Sequence, residues 1–360
     1  MRPKSTSRDL PPRMLRRKKK LKSGAIWVSY YYNGRNDNGQ RTEIPLGSDL
    51  NEAKRKWAEF ECKPAPIETG LLKFIFKKYE QEIVPTKAPR TQIDNGWCMN
   101  NLRPVFENSH IDSITPQHIA LYRDKRSAKV RANREIALFS HIFNLAREWG
   151  YTKNENPCRG VRKNKEKPRD YYVSNETWKS VYEAGATELQ DAMDLAYLTG
   201  QRPADVLKMS FSDIRDGALE VVQGKTGKKM RIVLKFKDGT DSELGMLIER
   251  IKSRPRKVTN LKIIATAAGQ PLNKGTLRIR FDKARLDAAN KVLLEATDAT
   301  MQEAEAFAAR IRAFQFRDIR PKAASDIQDL SAASALLGHT EQEITRKVYI
   351  RKGPDVNPTR

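Results

Sequence analysis

The stretch RGVRKNKEKPRD, residues 159–170, most restricts what this chain can become. It is polar, basic and interrupted by proline, and it offers no apolar face to bury. Such a segment reads as an exposed linker. A chain of 360 residues divided there folds as separate domains, each with its own core. The linker proper is assigned to residues 161–170, and no internal repeat is visible on either side.

Ahead of the linker, residues 67–160 read as a helical domain. LLKFIFKKYEQEI and NREIALFSHIFNLAREWG space their apolar residues at helical intervals, and the second closes at Gly150. ITPQHIALYRDKRSA opens with a Thr-Pro start signal. Pro64 and Pro66 separate this region from residues 1–63. There, AIWVSYYY (25–32) and RTEIPLG (41–47) read as strands around the turn signal NGRNDNGQ, and NEAKRKWAEFE as a short helix. Residues 1–22 carry ten Lys and Arg against one acid, Asp9. Arg16, Arg17, Lys18, Lys19 and Lys20 are consecutive, and Lys22 extends the block. It reads either as a disordered tail or as a basic arm laid on a polyanion.

Beyond the linker, residues 171–360 are mixed but mostly helical. TELQDAMDLAYLTG is a helix closed by Gly200, and RPADVLKMSFSDI restarts a helix at Pro203. ALEVVQ and MRIVL flank the turn GKTGKK as a β-hairpin. LNKGTLRIRFDKARLDAA and RDIRPKAASDIQDLSAASALLG read as helices, the second running to Gly338. The expected fold is multidomain and mainly α: a small β-sheet plus helix, then a helical domain, then a mixed α+β domain with a hairpin.

The net charge of +24 far exceeds what solubility needs and points to nucleic acid. Cys62, Cys98 and Cys158 are odd in number and far apart, so neither a disulfide framework nor a zinc site is indicated. The N-terminal stretch has no apolar run typical of a secretory signal, and nothing is long and apolar enough to span a membrane.

Four short stretches could carry chemistry. Arg202 stands at a helix junction, where its guanidinium fork suits two oxygens of one phosphate, with Asp205 near enough to orient it. The alternative is a surface arginine at a turn. Lys225 in the hairpin turn could donate a proton or bind phosphate, or simply be solvated. Arg317 and Arg320 in FRDIRPKAAS share a face if helical, and would either stabilise a phosphoryl transition state or pair with nearby acids. LLGHTEQEITRKVYI holds His339 and, ten residues on, Tyr349, the last tyrosine of the chain. A phenol is a poor nucleophile unless cations stabilise its phenolate, and Arg346, Lys347, Arg351 and Lys352 are close in sequence. Alone, such a Tyr is as well explained by packing.

In order, Arg after TG, Lys in a hairpin turn, a second Arg, LLGH and a late Tyr resemble the tyrosine recombinase, or phage integrase, family over residues 170–352. The resemblance implies that Tyr349 attacks a scissile phosphate and forms a 3′-phosphotyrosine. Arg202, Arg320 and His339, with Arg317, would hold the nonbridging oxygens, and Lys225 would protonate the leaving 5′-oxygen. The family usually has His where this chain has Arg317, and a slightly shorter His–Tyr interval. The resemblance further implies no cofactor and no metal. Its partner would be double-stranded DNA at attachment sites, bound by a homotetramer with accessory DNA-bending or excision-directing proteins, in the cytoplasm of a bacterial host. Residues 1–63 resemble an arm-type DNA-binding module, with Arg16, Arg17, Lys18, Lys19, Lys20 and Lys22 as DNA contacts; residues 67–160 resemble the core-binding domain, and 171–360 the catalytic domain. The rival readings are a DNA-relaxing type IB topoisomerase and a non-catalytic architectural DNA-binding protein.

Overall fold

The computed structural model describes residues 10–35, 41–61, 70–257 and 260–353. The chain divides into two compact units at residues 167/168. Residues 36–40 of the expected turn, Cys62, Pro64, Pro66 and the basic residues before position 10 lie outside the described residues.

The first unit opens with three antiparallel strands, β1 (Met14–Lys20), β2 (Ile26–Arg35) and β3 (Arg41–Gly47), in that order, followed by α1 (Leu50–Phe60). Strand alternation turns Met14, Tyr30, Tyr32 and Leu46 to one side, where they bury Ala53, Trp57 and Ala58 of α1. Asp49 caps the helix by accepting the Glu52 N–H at 2.8 Å. The cationic block is therefore neither a tail nor a free arm: it is β1. Too polar to announce itself by apolar alternation, it is a strand because β2 pairs along its whole length, Met14 with Tyr32 through Lys20 with Ile26. That pairing splits the block. Arg17 and Lys19 lie opposite Ser29 and Trp27, on the face turned away from α1. Arg16, Lys18 and Lys20 lie on the other face. Arg17 also sits over the Tyr31 ring at 5.0 Å and pairs with Glu43 at 2.6 Å.

Next come α2 (Leu72–Lys78), α3 (Pro89–Phe106), α4 (Pro116–Lys125) and α5 (Lys129–Glu148), around a core that includes Ile75, Phe76, Leu102, Phe139 and Phe143. The linker is irregular throughout, and each end is fastened locally. The Asn164 N–H donates to Asn133 on α5 at 2.9 Å. Arg169, within the second unit, reaches Asp318 through two bonds of 2.8 and 2.5 Å.

The second unit runs α6 (Asn175–Glu183), α7 (Thr187–Thr199), α8 (Pro203–Val206), a sheet of β4 (Ile214–Arg215), β5 (Ala218–Val222) and β6 (Lys229–Val233), then α9 (Glu243–Lys252), α10 (Lys274–Leu294), α11 (Met301–Ala313), α12 (Ile319–Asp326), α13 (Leu330–Leu337) and α14 (Gln342–Ile344). Two helices differ from expectation. The restart at Pro203 lasts four residues. The long helix expected to reach Gly338 is broken after Asp326, because Asp329 accepts the N–H groups of Ser331 and Ala332 and so caps a new helix. Among the described residues no helix is long and apolar enough to cross a membrane.

Candidate active site

Two helix ends and one hairpin build the site. Helix α7 ends at Gly200 with φ +62°, and α13 ends at Gly338 with φ +68°. A side chain would also be crowded at both, with a Cβ on Gly200 3.0 Å from Leu336 Cγ. A Cβ on Gly338 would lie 2.7 Å from Met230 Sδ and 2.8 Å from Gln223 Nε2. The carbonyls left free at these ends face a single guanidinium. Arg320, 4% exposed, donates through Nη1 to the Gly200 carbonyl at 2.5 Å and through Nη2 to that of Leu337 at 2.8 Å. Helix C-termini carry partial negative charge, so they compensate a buried cation. Burial, and then Arg202, lower the Arg320 pKa, yet a guanidinium stays charged.

His339 follows Gly338. Its Nε2 lies 3.3 Å from Arg320 Nη2 and its Nδ1 2.8 Å from Thr345 Oγ1. Burial pushes its pKa down to about 4, assisted by Arg320, Arg202 and Lys228, so the imidazole is neutral at neutral pH. The Tyr349 ring lies 4.8 Å from the His339 ring, and the Arg320 guanidinium 5.2 Å from the Tyr349 centroid. Arg320, His339 and Tyr349 therefore form one cluster.

The cation over Tyr349 is Arg320, not its sequence neighbours. Arg346 and Lys347 both pair with Glu343, and Arg351 donates to Asp318 at 3.1 Å and to the Tyr171 carbonyl at 2.7 Å. Nearness in sequence misled here, because the turn carrying Tyr349 points these side chains elsewhere.

Arg202 joins the cluster through Gln223, which is 1% exposed. Gln223 Oε1 accepts from Arg202 at 3.2 Å and from Thr226 at 2.8 Å, while Nε2 donates to Gln201 Oε1 at 2.8 Å and to the Leu337 carbonyl at 2.9 Å. Asp205 Oδ1 accepts the Gly224 N–H at 2.9 Å, and its Oδ2 is buried without a hydrogen bond, 4.0 Å from Arg202. Both contacts tie the hairpin base to the Arg202 junction.

Lys225 and Arg317 are placed differently. Lys225 is exposed at the hairpin turn, and it is Lys228 that reaches the cluster, donating to the His339 carbonyl at 3.5 Å. Arg317 is exposed in a short turn, Phe316–Asp318, that precedes α12. It lines a cleft with Pro203, Lys274 and Arg278, whereas Arg320, three residues on, is buried. Gln223, Lys228 and Thr345 were not singled out from sequence. Their one signal is closeness to Lys225 or Tyr349, which many polar residues share. Among the described residues no three His, Cys, Asp or Glu side chains gather as metal ligands would.

This arrangement, buried guanidinium, neutral imidazole and phenol at the meeting of two helix ends, sits in a region that the Phage integrase family model matches, residues 174–354. The match covers half of the chain, and the chain belongs to that family. Its relatives include prophage integrase IntE of Escherichia coli (strain K12), 27% identical over 252 residues, and the integrase of Escherichia phage lambda, 30% identical over 225. These alignments cover 68% and 60% of this chain but only 62% and 61% of the relatives. The fold is also that of a lambda integrase dimer bound to a COC′ core site, with TM-score 0.63 and 23% identity over 98% of this chain and 99% of that one. A lambda integrase tetramer bound to a Holliday junction gives 0.62 and 22% over the same shares.

Proposed function

We propose that this chain is a site-specific DNA recombinase that cuts and rejoins DNA through a 3′-phosphotyrosine on Tyr349, integrating or excising a mobile element. The observation that carries the reading is the convergence of Arg320, His339 and Tyr349, with Arg202 tied to them through Gln223. The Tyr349 oxygen adds to the scissile phosphorus as its proton passes to the neutral His339 ring or to water. The bond to the 5′-oxygen breaks, and Lys225 supplies the proton that this oxygen needs. Arg202 and Arg320 hold the nonbridging oxygens, and fixed donors of this kind favour the charge that builds up in the transition state. Arg317, unable to act as a neutral base, adds charge from the neighbouring cleft. The phosphotyrosine keeps the bond energy, so a 5′-hydroxyl from a second duplex reverses the step. Two cuts in each of two duplexes need four protomers.

The remaining assignments carry over the domain roles that the family resemblance implies, and the charge of β1 supports the first of them. Residues 1–63 act as an arm-type module, in which Arg17, Lys19, Trp27 and Tyr31 line the sheet face away from α1 and Arg16, Lys18, Lys20 and Lys22 flank it. Residues 67–160 clamp the core site, 161–170 link, and 171–360 catalyse, all in the cytoplasm of a host bacterium. The test uses a library of nicked duplexes, from which covalent complexes are isolated in detergent and the attached ends sequenced. The wild type should attach to a defined 3′ end and Tyr349→Phe should attach to none. Adducts from Tyr349→Phe at the wild-type rate would remove Tyr349 as nucleophile. Relaxation of plasmids that lack any preferred site would turn the reading toward a topoisomerase.

A further inference from the structure

Thr345 is fully buried, and its polar atoms serve the two side chains on which the proposed cleavage depends. Its hydroxyl meets His339 Nδ1 at 2.8 Å. Its carbonyl accepts the Ile350 N–H at 3.0 Å, a bond spanning five residues that closes the wide turn Thr345–Tyr349. Such a π-turn holds one residue more than an α-turn. It gives a physical place to the long interval between His339 and Tyr349: the surplus residue is taken up where Thr345 anchors the turn, and the two rings still meet at 4.8 Å.

The proton positions follow from the partners. An arginine can only donate, so in its 3.3 Å contact with Arg320 the Nε2 of His339 accepts. The one proton of a neutral imidazole then lies on Nδ1 and is donated to Thr345. The groups facing the ring are Arg320 on α12, Arg202 before α8, Lys228 beside the hairpin turn and Tyr349. The three cations all disfavour a second proton on the ring. A hydroxyl can also reverse its role and donate, so it can follow the ring if the proton moves from Nδ1 to Nε2 beside a bound phosphate, and it goes on accepting from Nδ1 if the ring takes up a second proton. No aliphatic side chain can do this.

We propose that Thr345 is a positioning residue for strand cleavage: its hydroxyl fixes the His339 ring with Nε2 turned toward Arg320, and its carbonyl closes the turn that presents Tyr349. The inference rests on the reading of Tyr349 as nucleophile. It is tested by comparing wild type, Thr345→Val and Thr345→Ser. Ring ¹⁵N spectra, assigned with His339→Gln, report the His339 tautomer without DNA, and single-turnover adduct formation on the preferred nicked duplex reports cleavage. The expected wild-type ring carries its proton on Nδ1. Thr345→Val should lose that preference and cleave roughly ten- to a hundredfold more slowly, the scale seen when the partner that orients a metal-ligating imidazole is removed. Thr345→Ser should recover the tautomer and most of the rate. A wild-type ring protonated on Nε2, which is read without any variant, overturns the proposal. So does Thr345→Val with an unchanged tautomer and rate, or Thr345→Ser as slow as the valine variant. A wild type that forms no adduct on any duplex overturns instead the recombinase reading on which the proposal rests.

Discussion

The two units hold positive charge in opposite ways. In the second, Arg320 is 4% exposed and is held by the Gly200 and Leu337 carbonyls and by His339, while its Nε is buried without a partner. In the first, β1 lines up five consecutive cations on a strand whose last four residues are exposed. A buried cation is costly unless fixed dipoles surround it, but once held it acts on a phosphate with little screening. Exposed cations cost little, are screened within about 8–10 Å at ordinary salt, and act additively on a polyanion. The buried arrangement suits a reaction at one phosphorus atom. The exposed one suits binding along many phosphates. The difference predicts that substitutions in the cluster act singly on rate and those on β1 act in sum on salt dependence.

The largest effect is expected at Arg320. Arg320→Lys keeps the charge but loses the fork that meets two helix-end carbonyls. Single-turnover adduct formation should fall on the order of a thousandfold, the upper range for removing one transition-state donor. A rate within tenfold of wild type would break the comparison, because charge alone would then suffice.

A smaller effect is expected at Gln223, which connects rather than reacts. Gln223→Leu leaves Arg202, Gln201 and the Leu337 carbonyl each short of a partner. Loss of a buried polar link of this kind costs about 1–3 kcal/mol, visible as a lower midpoint in denaturant unfolding. Adduct formation should slow on the order of tenfold as Arg202 loses its bearing, since a small misplacement of a positioned group is enough to slow reaction. Unchanged stability would remove Gln223 as the junction between hairpin and helix ends.

Much of this was legible in the sequence, and the exceptions share a cause. β3 was readable to the residue from RTEIPLG, and the end of α7 from its glycine, because local chemistry decides both. β1 was not, because MLRRKKK becomes a strand only through pairing with β2. The break between α12 and α13 depends on one aspartate acting as a cap, and α3, α6, α9 and α11 have no counterpart among the individually expected helices. Around the cluster, Arg202, Arg320, His339 and Tyr349 stand out as candidates because reactive residue types announce themselves, whereas Lys225, a candidate on the same ground, is exposed at the hairpin turn. Gln223 and Thr345 could not. Gln223 bonds to Leu337, 114 residues away, and no periodicity carries such a contact. The pairing of Arg346 and Lys347 with Glu343 shows the converse, that sequence proximity to Tyr349 is not contact with it.

The smallest effect is expected on β1, where it separates residues that the sequence presents as equal. Arg17 and Lys19 lie on the same open face, but Arg17 is shared with Glu43 at 2.6 Å. A cation already paired with a carboxylate gives up that partner when it binds phosphate, so its net gain is smaller. Each full phosphate contact contributes about 0.9 to the slope of log affinity against log salt. Lys19→Gln should therefore reduce the slope for binding of the N-terminal region's preferred duplex by about 0.9, and Arg17→Gln by distinctly less. Glu43→Gln should do the reverse, raising affinity several-fold at low salt by releasing Arg17. Titration of full-length protein with labelled duplex across a salt series reads all three. Equal slopes for Lys19→Gln and Arg17→Gln, with no gain from Glu43→Gln, would mean that the block acts by total charge and that the strand alternation of β1 plays no part in DNA binding.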